Sequence, residues 1–286
     1  VPLELPGPAV STDWLASHLA DRDLVVVDGS WYLPAMQRDA KAEYRSGHIP
    51  GAVFWDIDVI ADRTTSLPHM LPSLSDAPRL IGGLGIGRSS AVVAYDGSGN
   101  NLSAARIWWT LRVFGHDRVA VLDGGIGKWR REGRPLESGE VRPNAAEFVP
   151  RFRPALVRSL GEVAAALETR TATVVDARGP GRFEGSEPEP RPGVRSGHMP
   201  GARNLPFGSV VDGEGVLLDA TAIRERFEEA GVDLAEPVIL SCGSGVSACA
   251  LALGLERAGH RDYAVYDGSW TEWGGHPSTP VVSGPS

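Results

Sequence analysis

Short apolar runs recur along the chain, each four to seven residues long and rich in β-branched positions. "DLVVVD" (23–28), "AVVAYD" (91–96) and "VAVLDGG" (119–125) lie in the first half; "ATVVDA" (172–177), "PVILSC" (237–242) and "YAVYDG" (263–268) lie in the second. Continuous apolar runs of this length, bounded by Asp and Gly, read as strands buried on both faces. Between them the pattern changes to a helical period over 11–20, 76–84, 102–114, 159–168, 220–230 and 247–258. Gly115 and Gly259 stand just past two of these helices, where a left-handed residue closes the last turn. Strands alternating with helices predict an α/β fold, a mostly parallel sheet with helices on both faces.

The elements come in two sets. "SGHIPGA" at 46–52 returns as "SGHMPGA" at 196–202, and "VVVDGS" at 25–30 as "TVVDAR" at 173–178. "VVAYDGSG" at 92–99 returns as "VILSCGSG" at 238–245, and "FGHDRVAVLDGGIGKW" at 114–129 as "AGHRDYAVYDGSWTEW" at 258–273. Four matches in one order at nearly constant spacing mean two copies of one domain. Residues 138–155 are polar and proline-rich and read as a linker. The expected domains are therefore 1–137 and 156–286. His48 and His198, present in both copies, read as anchors of the "SGHxPGA" turn. The five tryptophans Trp108, Trp109, Trp129, Trp270 and Trp273 read as packing. The glycines of "IGGLGIGRSS" precede a strand, so they mark a helix end and not a dinucleotide site.

With 286 residues and 42% apolar content the chain can bury two cores. A net charge of −8 argues against nucleic acid or an anionic membrane as partner. No apolar run reaches the roughly 18–20 residues of a membrane span. The first residues lack a basic-then-apolar leader, and two cysteines fit cytoplasmic usage, so a cytoplasmic location is expected.

Both cysteines fall in "SCGSGVSACA" (241–250). A disulfide between them is disfavoured: a helix running from the turn would carry Cys249 two turns on, roughly 10 Å at 1.5 Å per residue. Zinc needs about four ligands at close Cys/His spacing, and no histidine provides them; no metal or organic cofactor is expected. Cys249 lies in "ACALALGL" and reads as a small buried hydrophobe. Cys242 is different. It ends a strand, where parallel α/β sheets bind ligands. A Gly-Ser-Gly turn and a helix start follow it, and their N–H groups favour a charged, reactive sulfur. The first copy keeps this turn as "DGSG" but has Asp96 in place of the cysteine, so only the second copy can do thiol chemistry. A phosphatase loop would need an arginine six residues after the cysteine; Ala248 stands there.

These residues resemble the rhodanese superfamily, over essentially the whole chain as two tandem domains. "CGSGVSA" resembles the "CGSGVTA" loop of its mercaptopyruvate-using members, with Ser247 for Thr the one departure. The resemblance implies a sulfurtransferase that takes sulfur from the small-molecule donor 3-mercaptopyruvate onto Cys242 as a persulfide and releases pyruvate. A thiol acceptor, of thioredoxin type among others, or cyanide then takes the sulfur. Gly243, Gly245, Val246 and Ser247 would hold the persulfide with their backbone. Arg182 and Arg191, in "GRFEGSEPEPR", match the family's substrate-binding arginines; the bland alternative pairs them with Glu184, Glu187 or Glu189. Segment 54–72 matches the stretch that supplies Asp58 and His69, which with Ser244 would form a proton relay; Ser244 could instead only brace the turn. Two alternatives stay open: a thiosulfate:cyanide sulfurtransferase, whose loop usually carries basic residues, and a persulfide carrier or redox module with no small-molecule donor.

Overall fold

A computed structural model describes residues 2–286. The chain divides into two compact units. The first comprises residues through Arg63, Leu71–Arg153 and Val211–Leu217; the second comprises Thr64–Met70, Pro154–Val210 and Leu218–Ser286.

The first unit contains β1 (Ala9–Val10), α1 (Thr12–His18), β2 (Leu24–Asp28), α2 (Ala40–Ser46), β3 (Val53–Phe54), α3 (Ala77–Gly82), β4 (Ala91–Tyr95), α4 (Leu102–Val113), β5 (Val119–Leu122) and α5 (Gly125–Arg131). The second contains β6 (Val157–Arg158), α6 (Leu160–Thr169), β7 (Thr173–Asp176), α7 (Pro180–Glu184), β8 (Arg203–Asn204), α8 (Ala220–Glu229), β9 (Val238–Ser241), α9 (Ala248–Arg257), β10 (Tyr263–Tyr266) and α10 (Ser269–Gly275). The sheet orders are β1-β5-β4-β2-β3 and β6-β10-β9-β7-β8, the same winding twice, and every strand pairing is parallel.

The six apolar runs form the six longer strands. β4 is buried at all five of its positions, as a strand covered on both faces must be. On one face Val93, Tyr95, Ala120 and Leu122 pack with Leu15 of α1 and with Ile126 and Trp129 of α5. In the second unit Val174, Ile239 and Tyr266 pack with Val163 of α6 and with Trp270 and Trp273 of α10. All five tryptophans are fully buried, Trp129, Trp270 and Trp273 in these layers and Trp108 and Trp109 in α4.

All six expected helices are present within two residues at either end. Gly115 and Gly259 stand one residue past the caps of α4 and α9 at φ of +83° and +81°. The repeated histidines do the same work in both units. His48 Nδ1 bonds the Tyr44 carbonyl at 2.8 Å and stacks on the Tyr44 ring. His198 Nδ1 bonds the Phe183 carbonyl at 2.9 Å and stacks on Phe183. Residues 138–153 carry no regular element. They run along the first unit, where Ala146 N–H donates to Gly82 O and Arg151 N–H to Phe114 O. Among the described residues no helix is long and apolar enough to cross a membrane.

Candidate active site

β9 lies at the middle of the second sheet, and Cys242 follows its last residue directly. A chain that leaves a central strand and enters a helix six residues later must turn sharply. Gly243, Ser244, Gly245, Val246 and Ser247 make that turn, with Gly245 at φ +73°, and α9 starts at Ala248. The turn is buried: Cys242 is 1% exposed and Ser244 and Val246 are covered.

The start of α10 fixes the turn from outside. Trp270 N–H donates to the Cys242 carbonyl at 2.9 Å. Thr271 donates twice to the Gly243 carbonyl, from N–H at 2.9 Å and from its hydroxyl at 2.6 Å. With these carbonyls held outward, two amides point to one oxygen: Cys242 N–H and Gly245 N–H each donate to Ser269 Oγ at 3.1 Å. The Ser269 hydroxyl donates to Tyr266 O at 2.8 Å, with Cys242 Sγ at 4.0 Å, the outer limit for a bond to sulfur. Ser269 is absent from the sequence-based site. It is fully buried and holds φ +50°, a backbone region that a non-glycine residue adopts only under constraint. One signal was available: the matching residue of the first copy is Gly125, at φ +54°.

Cys249 corrects one expectation. α9 starts at Ala248, so Cys249 sits in its first turn and not two turns along. The argument from helical rise therefore does not apply, although both cysteines are free and buried. The Cys249 thiol donates to the Gly245 carbonyl at 3.2 Å, so it also touches the turn.

The first unit shows what the same turn does without a cysteine. The Asp96 carboxylate fills it. Oδ1 accepts from Ser98 N–H at 2.8 Å and from the Ser98 hydroxyl at 2.6 Å; Oδ2 accepts from Ala104 N–H at 2.8 Å. At the position matched to Cys242 a buried carboxylate thus accepts from two backbone amides and two hydroxyls, those of Ser98 and Ser103. The two serines differ in use. Ser98 Oγ braces its turn, also accepting from Asn100 N–H and Leu102 N–H. Among the described residues Ser244 Oγ shows no such bond.

Arg182, in α7, reaches the turn: a Cβ placed on Gly243 would lie 3.0 Å from Arg182 Nη2. Its guanidinium is also bonded to Glu189, so the pairing alternative is realised at this residue without removing it from the turn. Arg191 is half-buried on the same segment. Arg178 and Arg195 are spent on the fold, Arg178 on Asp176 and Glu189, Arg195 on the carbonyls of Gly274, His276 and Thr279. His69 belongs to the second unit; it is 5% exposed and strained at φ +61°. Asp58 belongs to the first unit, is exposed, and donates its N–H to Asp56 Oδ1 at 3.0 Å. Among the described residues no cluster of three or more His, Cys, Asp or Glu is placed to hold a metal ion.

Fold and site together define a twice-wound parallel α/β protein that presents one strand-end cysteine in a buried turn whose Cys242 and Gly245 amides meet on Ser269 Oγ. The chain belongs to the rhodanese family: the rhodanese-like domain matches residues 11–132 and again 159–276. It is 45% identical to human 3-mercaptopyruvate sulfurtransferase, over 92% of this chain and 91% of that one. It is 40% identical to the Escherichia coli K12 enzyme of the same name, over 95% and 96%. A thiosulfate sulfurtransferase of Cricetulus griseus is 40% identical over 97% and 96%. The crystal structure of SseA from Escherichia coli, described as a 3-mercaptopyruvate sulfotransferase, superposes with a TM-score of 0.85 at 38% identity, covering 92% of this chain and 99% of that one.

Proposed function

We propose that the protein is a 3-mercaptopyruvate sulfurtransferase working through a Cys242 persulfide. The observation that carries the reading is the uncharged turn 242–247 with the Arg182 guanidinium packed on Gly243, in a chain of this family. The Cys242 thiolate attacks the thiol sulfur of the donor. The carbon–sulfur bond breaks, its electron pair leaves on carbon as the pyruvate enolate, and the sulfur stays on Cys242. The donor's thiol proton balances the proton that the pyruvate methyl gains. An acceptor thiolate then attacks the outer sulfur and restores Cys242. This is covalent catalysis in two half-reactions, with ping-pong kinetics.

Roles follow the chemistry. Arg182 and Arg191 hold the donor's carboxylate and keto oxygens, for which planar guanidinium forks are suited. The backbone of Gly243, Gly245, Val246 and Ser247 is assigned the persulfide charge, with Gly245 N–H shared with Ser269 Oγ; in the first unit the Asp96 carboxylate is held instead by the amides of Ser98 and Ala104, which match Ser244 and Ala250. Ser244 and His69 move the proton, with Asp58 as the carboxylate that orients the imidazole. The unbraced Ser244 hydroxyl and the strained His69 backbone support those two assignments. A thioredoxin-type dithiol or a low-molecular-weight thiol is the acceptor, and the cytoplasm the location; the organelle is a real alternative, since an Arabidopsis thaliana relative 44% identical to this chain is named as mitochondrial.

Thiosulfate as donor is the second reading, favoured by the Cricetulus griseus relative. Steady-state pyruvate release from 3-mercaptopyruvate, set beside thiocyanate formation from thiosulfate and cyanide, decides. Wild type is expected to prefer mercaptopyruvate, and Cys242→Ala to release no pyruvate. A preference for thiosulfate, or turnover by the alanine variant, overturns the proposal.

A further inference from the structure

Four charges form a row in the second unit. Asp176, at the end of β7, accepts from Arg178 Nη2 at 2.7 Å and from its Nε at 3.0 and 3.1 Å. Arg178 is 1% exposed. It donates from Nη2 to the Gly197 carbonyl at 2.7 Å and lies 4.4 Å from the Trp270 ring centre. Its Nη1 donates to Glu189 Oε1 at 2.6 Å. Glu189, 4% exposed, is shared: Arg182 donates to Oε1 from Nε at 3.2 Å and to Oε2 from Nη2. Arg182 is the only member with an open side, 23% exposed, and it lies on Gly243.

We infer that Glu189 is a positioning residue that also sets the charge of the sulfur donor. It fixes the guanidinium plane of Arg182, because two oxygens gripping Nε and Nη2 leave the long side chain one orientation. It also cancels one positive charge: two carboxylates and two guanidiniums sum to zero beside the turn. Arg182 still offers N–H groups to a singly charged carboxylate. A dianion with charge next to its transferable sulfur meets Glu189 as well, and gains little. Without the Glu189 charge the row carries a net positive charge, the field such a dianion needs. The inference rests on the donor reading above.

The test uses Glu189→Gln and Glu189→Asp in the full chain. Both donors are measured, and Cys242 is alkylated with anionic iodoacetate or neutral iodoacetamide and followed by peptide mass. Glu189→Gln is expected to raise KM for mercaptopyruvate about tenfold, the effect of about 1.4 kcal/mol. The thiosulfate-to-mercaptopyruvate ratio of kcat/KM and the iodoacetate-to-iodoacetamide rate ratio should both rise, by roughly three- to tenfold for a charge within several ångströms at intermediate dielectric. Glu189→Asp keeps the charge and should keep both ratios within about twofold. Equal losses on both donors with unchanged ratios in Glu189→Gln, or ratios in Glu189→Asp that shift as far as in Glu189→Gln, reduce Glu189 to a structural residue and overturn the inference. Should Glu189→Gln not fold, Arg182→Gln asks the question in reverse: it leaves Glu189 with Arg178 alone and the row with a net negative charge, and the alkylation ratio must fall. An unchanged ratio again overturns it. If wild type releases no pyruvate, the donor reading fails, and the alkylation ratio still decides the role of Glu189.

Discussion

Ser269 shows two opposed costs at a single residue. A left-handed backbone at a non-glycine residue costs about 1–2 kcal/mol, and the first unit avoids that cost with Gly125 at the same φ. The hydroxyl outweighs it by accepting two buried amides, each of which would cost about 1–3 kcal/mol if left without a partner. Ser269→Ala keeps the strain and loses the acceptor; Ser269→Gly relieves the strain and leaves room for a water. Urea unfolding should therefore rank alanine below glycine by about 1 kcal/mol, with both below wild type; equal midpoints for wild type and alanine would mean that the hydroxyl does not hold the turn. Ser98 and Ser244 give the converse pair. Ser98→Ala removes a bond to Asp96 and the acceptor of two amides, so it should lose about 1–2 kcal/mol of stability and no turnover. Ser244→Ala should leave stability within about 0.5 kcal/mol and lower kcat for pyruvate release about a hundredfold, the usual size of a proton-transfer contribution. Undiminished kcat in Ser244→Ala removes the hydroxyl from the relay.

At the scale of elements, the row of charges joins β7, α7 and the "SGHMPGA" turn. Arg178→Met leaves the buried Asp176 without its cation and Glu189 with Arg182 alone; breaking a buried pair in this way typically costs about 3–5 kcal/mol. Thermal unfolding should show that loss; a shift under about 1 kcal/mol would show that the carboxylates find other partners. The end of α5 gives a pH test. Burial alone would raise the Glu132 carboxyl, but bonds from Lys128, Thr12 and Arg134 outweigh it and hold it at about 2. A depressed acid stabilises above its unfolded pKa of about 4.3 and loses that contribution as pH falls toward 2. Unfolding midpoints measured from pH 5 to 2 should fall less steeply in Glu132→Gln than in wild type, and parallel curves would reject the assignment. Elements also mark the limit of what could be read beforehand. The six longer strands and six helices were legible because each carries a full period of its pattern. β1, β3, β6 and β8 are two residues long, too short for any alternation. α2, α5, α7 and α10 have five to seven residues, and α5 and α10 start on Gly125 and Ser269, which carry no helix signal. Cys242 was legible because the first copy lacks it. Glu189 appeared only as a rival partner for the arginines, since a sequence does not show that one carboxylate is shared between two of them. Asp58 and His69 could be singled out only through resemblance; no spacing connects them to the turn.

Across the whole molecule, the two copies keep one winding and differ at a few positions. Where the second unit has Cys242, Ser269, Thr271 and Arg178, the first has Asp96, Gly125, Gly127 and Ser30. The hydroxyls that hold the second turn are glycines in the first. The first turn is also closed in its own way. Asn101 Nδ2 donates to Gly215 O at 2.9 Å, Leu217 N–H donates to Asp123 Oδ1 at 3.0 Å, and a Cβ on Gly215 would meet Gly99 O at 2.3 Å. A thiol alone should therefore not make a second site. In Asp96→Cys the carboxylate that accepts Ser98 and Ala104 amides is gone, which should cost about 1–3 kcal/mol. The new sulfur would keep an arginine near its turn, Arg38, whose Nη1 donates to Gly97 O at 3.3 Å, and the hydroxyls of Ser30, Ser98 and Ser103, but nothing in place of the Ser269 and Thr271 hydroxyls. The double variant Asp96→Cys with Cys242→Ala is expected to fold less stably and release no pyruvate. Asp96→Cys alone should keep wild-type turnover and take up one transferable sulfur per chain, counted by intact mass after incubation with donor. Two sulfurs per chain, or turnover by the double variant, would show that the cysteine by itself makes the turn catalytic. One sulfur would place the specificity of this fold in the hydroxyls and charges built around the second turn.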